Sequence, residues 1–135
     1  MSDIDQISSD ASDPGRVVLR RLTNRPQFLA TAKGLTRPCG AVLIQTRDRA
    51  DGDPAIGVGF TATRKLGGAV VRNRAKRRLR EAARTLIPEH GLPGADYVLV
   101  ARQSCAEREW PRLLDDVKTA LIRLAADRRA EPQRP

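Results

Sequence analysis

Several residue types are scarce in this 135-residue chain, and each scarcity narrows what the protein can be. Aromatic residues make up only 3%, so the core has to be built from Val, Leu, Ile and Ala. The two cysteines, Cys39 and Cys105, are far apart, and the single histidine, His90, is near neither. Because a structural zinc site needs about four ligands, we expect two reduced thiols in or near the core and no metal or other cofactor bound by protein ligands.

Long hydrophobic runs are also absent. No run of about 18 apolar residues occurs, which excludes a membrane-spanning helix. The N-terminus is acidic and polar, whereas a secretory signal peptide begins basic and then becomes apolar. We therefore expect a cytoplasmic protein with no membrane partner.

Length and composition predict one domain with a disordered segment at each end. Domains usually contain about 100–200 residues. Residues 1–15 hold four Asp and no Lys or Arg, a composition typical of a disordered acidic leader. Residues 128–135 are charged and bounded by proline, which predicts a flexible tail. The domain is then expected to span residues 16–127.

Three segments have the pattern of β-strands, because they are rich in β-branched residues between turn residues or alternate apolar with small residues. They are residues 41–46, 55–63 and 97–101, and a further short strand is expected around residues 35–38. The polar loop 47–54 predicts that the first two form an antiparallel hairpin.

Three helices are predicted around these strands. The first covers residues 26–33, with Asn24 as N-cap and Gly34 after its end. The second covers residues 69–87, and the third follows Pro111. The second has an apolar stripe of Val71, Ala75, Leu79, Ala82 and Leu86, and it is expected to end at Pro88 and Gly91. The elements predict an α+β fold, a single-domain α/β sandwich in the order α-β-β-(β)-α-β-α.

Positive charge is concentrated in one segment. The chain has 25 Lys and Arg against 16 Asp and Glu, a net charge of +9, which is typical of a protein that binds a polyanion. Residues 64–84 contain nine basic residues and one acid, Glu81, so eight of the nine net charges fall there. Like charges one turn apart repel each other. A helix that was basic only for solubility would alternate them with Glu. The segment therefore predicts a phosphate-binding surface.

The same segment is similar to a known signature. Residues 64–80 read RKLGGAVVRNRAKRRLR, which resembles the signature of the bacterial ribonuclease P protein subunit family. Residues 57–61 and 96–102 resemble the family's strands on either side, and residues 22–28 resemble the start of its first helix. The resemblance covers about residues 20–126. It implies an α/β sandwich with a left-handed crossover through the basic helix, although generic connection rules favour a right-handed one.

The resemblance also implies partners and site residues. The partners are ribonuclease P RNA and precursor tRNA, and DNA is not expected to be one. The RNA subunit carries the catalysis with Mg²⁺, so no residue of the protein is expected to be catalytic. Residues that match the motif are expected to bind RNA: Arg64, Lys65, Arg72, Asn73, Arg74, Lys76, Arg77 and Arg80.

The family holds the 5′ leader in a cleft, and the residues of this chain that match that cleft depart from the family pattern. Phe28 matches an aromatic residue of that cleft, and plain core packing is an equally good interpretation of it. Ala32 and Gln45 stand where the family often has further aromatic residues, so the cleft is expected to stack less and hydrogen-bond more. Phe60 is on the apolar face of its strand and is predicted to belong to the core.

Two other functions fit the charge and size. A structural RNA-binding protein of the ribosomal type is the main alternative, and only the signature and its neighbouring strands argue against it. A DNA-binding regulator is a weaker one, because such proteins are usually dimers and nothing in the sequence marks a dimer face. A self-contained nuclease needs a general base or a metal cage, and the sequence has no motif for either.

Overall fold

The computed structural model describes residues 17–130, which form a five-stranded sheet with helices on both faces. In chain order the elements are β1 (Leu19–Arg21), α1 (Arg25–Ala32), β2 (Leu35–Cys39), β3 (Val42–Asp48), β4 (Ile56–Thr61), a short 3₁₀ helix (Arg64–Leu66), α2 (Ala69–His90), β5 (Ala95–Ala101) and α3 (Trp110–Ala130). The predicted leader, residues 1–15, lies outside the described residues. Among residues 17–130, no helix is long and apolar enough to cross a membrane.

The strand order is β1-β4-β5-β3-β2. β5 is central, parallel to β4 and antiparallel to β3. The predicted hairpin between residues 41–46 and 55–63 is therefore wrong, because β5 separates the two strands. The hairpin is instead formed by β2 and β3, which turn at Gly40. β5 takes the central place because it is apolar on both faces, as a strand covered on both sides has to be.

The basic helix is a crossover connection. β4 and β5 are parallel neighbours, and the chain passes from one to the other through α2, so the crossover implied by the resemblance is present. Its left-handed sense stays a prediction. The mixed fold with one sheet and three helices agrees with the predicted α+β sandwich, to which the structure adds the edge strand β1.

One predicted helix end agrees with the structure and another differs from it. At the start of α1 the predicted N-cap, Asn24, is confirmed, and the structure adds a capping box: Asn24 Oδ1 accepts from Gln27 N at 3.1 Å, and Gln27 Oε1 accepts from Asn24 N at 3.2 Å. α2 continues past Pro88 to His90, because proline removes one hydrogen bond while buried Ile87 keeps the last turn on the core.

The last helix is longer than predicted. α3 extends to Ala130, so the first three residues of the predicted tail are helical, and residues 131–135 lie outside the described part of the chain. Arg128 Nη2 pairs with Asp48 at 3.0 Å, and Arg37 Nε pairs with Asp127 at 2.9 Å. These two ion pairs hold the end of α3 on β3 and β2.

The two faces of the sheet have different partners. Ile56 and Val58 of β4 point into the main core, beneath α2 and α3. The alternate residues, Gly57 and Gly59, face α1. A Cβ at Gly59 would lie 2.6 Å from Phe28 Cε1, so the glycine allows α1 to place its aromatic ring directly on the strand.

Candidate nucleic-acid interface

The candidate site begins at the turn between β4 and α2. The 3₁₀ helix exposes Arg64 and Lys65. Gly67 follows with φ of +140°, a conformation that side chains rarely adopt, and its N–H donates to Arg64 O at 3.1 Å. Gly68 is the N-cap of α2. The glycine pair therefore makes the sharp turn that directs the basic segment into a helix.

The apolar stripe fixes which side of α2 faces outward. Ala75, Leu79, Ala82 and Leu86 are buried as predicted. Val71 was predicted to be buried with them but is 38% exposed. The reason is that residues 69–74, the first turn and a half of α2, extend beyond the edge of the core and contain no buried residue.

The cations of this segment lie on the surface. Within residues 17–130, no carboxylate forms an ion pair with any of the seven cations predicted to bind RNA. Asn73 is exposed beside them. We call the α2 members of this set the basic face: Arg72, Asn73, Arg74, Lys76, Arg77 and Arg80.

Two further arginines of α2 are engaged by the protein itself. Arg78 Nη1 donates to Cys105 O at 2.6 Å, and Arg78 Nη2 donates to Arg108 O. Arg84 forms an ion pair with Glu81, one turn earlier in the helix. The structure therefore separates from the basic face both Arg78, which joins α2 to the turn before α3, and Arg84, which is paired within α2.

The basic face has two flanks, because residues one turn apart point the same way. Lys76 and Arg80 point toward the end of β4, where the Arg80 guanidinium lies 5.7 Å from the centre of the Phe60 ring. Arg74 lies on the opposite flank of α2. Arg78, although not part of the basic face, lies on the same flank and is placed over Trp110 at the start of α3.

An open cavity of about 310 Å³ lies beside the first flank. Phe28 of α1, Phe60 of β4, and Lys76 and Arg80 of α2 line it, together with Arg21, Leu22 and Thr23 after β1. Aromatic rings stack on nucleobases, and cations neutralise backbone phosphates. The cavity thus has the composition of a site for a single-stranded nucleotide.

Phe28 and Gln45, which the sequence linked to the cleft, have different places from each other and from Phe60, which it assigned to the core. Phe28 is half-buried, packs on Gly59 and lines the cavity, so packing and cleft lining are both true of it. Gln45 is half-buried in the same row across the sheet, through Val98 to Gly59, but it does not line the cavity. Phe60 packs against the core, as predicted, and also lines the cavity.

Sequence reasoning missed the contribution of Phe60 and of residues 21–23. Alternation along β4 correctly predicted that Phe60 faces the core side. The ring is nevertheless half-exposed, because β4 ends there and α2 starts beyond the sheet. The position of Phe60 just before the basic segment was the sequence signal that could have indicated its place in the cavity. β1 has three residues, too few for a detectable pattern.

Neither cysteine belongs to this site. Both are free thiols, Cys105 buried and Cys39 half-buried, which confirms the prediction of reduced cysteines in or near the core. Burial raises the pKa of the Cys105 thiol to about 11, so it is protonated at neutral pH and unsuited to act as a nucleophile or metal ligand. Within residues 17–130, no three His, Cys, Asp or Glu side chains form a group that could hold a metal ion.

The chain matches a family model, related sequences and solved structures. The family model for ribonuclease P matches residues 18–125. The chain is 60% identical over 117 residues to the ribonuclease P protein component of Caulobacter vibrioides, covering 87% of this chain and 78% of that one. It is 47% identical over 120 residues to that of Ruegeria pomeroyi, covering 87% and 94%.

A solved structure shares the fold. The RNase P protein of Staphylococcus aureus superposes with a TM-score of 0.65 at 24% identity, covering 78% of this chain and 94% of that one. The structural match concerns the fold alone, whereas the family model and the two relatives extend over most of the sequence. This chain therefore belongs to the ribonuclease P protein family.

Proposed function

We propose that this chain is the protein subunit of a ribonuclease P. It binds the catalytic RNA subunit and the 5′ leader of precursor tRNA, and it promotes endonucleolytic removal of the leader to give the mature tRNA 5′ end. One observation carries the proposal: seven cations on α2 and the turn before it pair with no carboxylate of residues 17–130, and two of them, Lys76 and Arg80, line a cavity that contains two aromatic rings.

The basic face supports binding to a folded RNA. Its cations repel one another, and no carboxylate of residues 17–130 pairs with them, so phosphates are the groups that would stabilise this arrangement. The planar arginine side chains can each donate two parallel hydrogen bonds to a phosphate. Each phosphate contact releases counterions, so affinity should fall steeply as salt rises. We assign Arg64, Lys65 and the basic face to the RNA subunit near the cleavage site, and Lys76 and Arg80, which also line the cavity, are shared with the leader.

The cavity supports binding of the leader. A single strand that lies between α1 and α2 would place a base against Phe28 and its phosphates near Lys76 and Arg80. Farther along the same face of the sheet, Gln45 would add a hydrogen bond to the strand. One base stack on Phe28 and one hydrogen bond to the Gln45 amide would then replace the two or three base stacks of family members that have more aromatic residues in the cleft.

We assign the chemical step to the RNA subunit. The Mg²⁺ ions that support cleavage would be held by that RNA, as the resemblance to the family implies. The contribution of this chain is to bind both RNAs, to orient the leader and to reduce phosphate repulsion between substrate and RNA subunit.

Reconstitution tests the proposal. Purified protein is added to a bacterial ribonuclease P RNA at a Mg²⁺ concentration where the RNA alone is inactive, and 5′ processing of precursor tRNA is followed. We expect the protein to restore correct cleavage. An unrelated basic protein of equal net charge serves as the control. Binding without any restored cleavage would contradict the proposal and favour a structural role of the ribosomal type.

A further inference from the structure

A second exposed surface lies on the flank of α2 that faces away from the cavity. Trp110, the only tryptophan of the chain, is the first residue of α3 and is 38% exposed. The other aromatic residues are buried or half-buried. The function proposed above uses the cavity flank and leaves this ring without a role. Exposed rings beside free cations are typical of surfaces on which nucleobases stack.

The position of the Trp110 ring is fixed by the fold. The Arg78 guanidinium lies 5.8 Å from the ring centre, within cation–π range. Arg78 is itself held by its hydrogen bonds to the carbonyls of Cys105 and Arg108, in the turn that leads into α3. The indole is therefore presented in a defined orientation, which lowers the entropy lost when a ligand stacks on it.

The surroundings of the ring favour an anionic ligand with an apolar face. Arg74 lies one turn before Arg78 on the same flank, is exposed, and has no ion pair within residues 17–130. Val71 lies one turn before Arg74 and adds apolar surface. Two acids are near: Glu107 is exposed, and Glu109 pairs with Arg112 at 3.4 Å, which offsets its charge. We call Val71, Arg74 and Trp110 the tryptophan surface.

The geometry points to the RNA subunit as the ligand. An α-helix with its side chains is about 10–12 Å across, so α2 separates the tryptophan surface from the cavity flank of Lys76 and Arg80. A nucleotide held in the cavity cannot also contact the tryptophan surface, whereas the RNA subunit is already assigned to the basic face that includes Arg74. We propose that the tryptophan surface binds an unpaired base of the ribonuclease P RNA, which stacks on Trp110 while Arg74 contacts an adjacent phosphate. This inference rests on the proposed function.

Intrinsic fluorescence tests the inference directly, because all tryptophan emission comes from this one ring. The full-length protein is titrated with ribonuclease P RNA, and binding is followed in parallel by the anisotropy of labelled RNA. We expect quenching of the indole with the same midpoint as binding, and no quenching by precursor tRNA alone. Binding without a change in emission would overturn the inference and leave the proposed function standing. Absence of binding would overturn both.

Substitutions separate stacking from packing. Trp110→Leu keeps an apolar side chain at the start of α3 but removes the aromatic face, and Trp110→Phe keeps a smaller one. We expect Trp110→Leu to weaken binding of the RNA subunit roughly 5- to 150-fold, the range for one lost base stack, and Trp110→Phe to retain most of the affinity.

The salt dependence provides a second readout. Trp110→Leu should leave the slope of log affinity against log salt unchanged, since no phosphate contact is lost, whereas Arg74→Gln should reduce it by about 0.7–0.9. Thermal unfolding verifies that each variant is folded. Wild-type affinity of a folded Trp110→Leu variant, or equal losses for Leu and Phe, would show that the ring serves packing alone.

Discussion

Two glycines of β4 control which side chains lie against the face of the sheet under α1. A Cβ at Gly57 would lie 2.1 Å from Asp96 Oδ1, and a Cβ at Gly59 would lie 2.6 Å from the Phe28 ring. Any larger residue at either position would displace a carboxylate or an aromatic ring. The small face of this strand is therefore the reason that Phe28 can both pack and line the cavity.

The stacking role of Phe28 can be tested with two RNA ligands. Phe28→Ala should weaken binding of precursor tRNA to the assembled ribonucleoprotein by about 1–3 kcal/mol, the usual contribution of one base stack. Mature tRNA has no leader, so its binding should change little. Equilibrium binding of both RNAs measures the difference. Leu29→Ala, at a half-exposed position that does not line the cavity, is the matched control. Equal losses for both RNAs would point to core packing instead.

At the scale of the element, α2 combines two functions along different faces. Its buried stripe consists mainly of Ala and Leu, which allows close packing on the sheet and on α3. Its outer side carries the basic face, and its first turn and a half extends beyond the core. Because the stripe begins only at Ala75, the cations before it can be changed without disturbing packed residues.

This division predicts the behaviour of a double variant. Arg72→Ala with Arg74→Ala should weaken binding of ribonuclease P RNA and lower the salt slope by about 1.4–1.8, the sum for two phosphate contacts. The fold should be retained, as judged by circular dichroism and thermal unfolding. Lys118→Ala with Arg123→Ala removes two exposed cations from α3 and is the control. Unchanged affinity and slope in the Arg72 and Arg74 variant would remove the basic face from the RNA interface.

At the scale of the whole molecule, the buried carboxylates engage arginines other than those of the basic face. Buried or partly buried carboxylates bind arginines that join distant elements. Asp116, on α3, accepts from Ala41 N at 3.0 Å and pairs with Arg108 at 2.7 Å. Asp96, on β5, pairs with Arg47 at 3.0 Å and Arg49 at 2.8 Å. With these arginines neutralised, the cations of α2 and the turn before it form a dense group of positive charge without buried counter-charges within residues 17–130.

The Asp96 pairs should contribute strongly to stability. The carboxylate is almost fully buried, and Arg49 also donates to the carbonyls of Asp53 and Ala55 in the loop between β3 and β4. Asp96→Asn keeps the shape but removes the buried charge that both arginines share, and Arg49 retains only its pair with exposed Asp51 at 3.0 Å. We expect a loss of about 2–4 kcal/mol in the free energy of unfolding, below the upper values for buried pairs because Arg47 is partly exposed.

Urea denaturation measures that loss. Asp115→Asn, at an exposed position on α3, is the matched control and should change the free energy of unfolding by less than about 0.5 kcal/mol. A similar small effect for Asp96→Asn would show that the pairs are replaceable by solvent.

Local sequence patterns predicted the helices and strands better than they predicted which of these elements lie side by side. The capping residues Asn24 and Gln27 are only three residues apart in the chain, so their box forms from local contacts alone. The strand order was predicted incorrectly because chain proximity suggested that β3 and β4 pair. Instead β5, which comes 34 residues after the end of β4, inserts between them. Its apolar character on both faces was the only local sign of a central strand.

The sequence by itself determined the basic segment, the stripe that orients it and the family to which the chain belongs, because each depends on residues close together in the chain. Only the tertiary structure decided that Arg78 is engaged by the turn before α3 while the basic face is not. It also decided that Phe60 reaches the cavity and that Trp110 lies on the opposite flank of α2. These features depend on which distant elements pack side by side, and no short-range pattern encodes that.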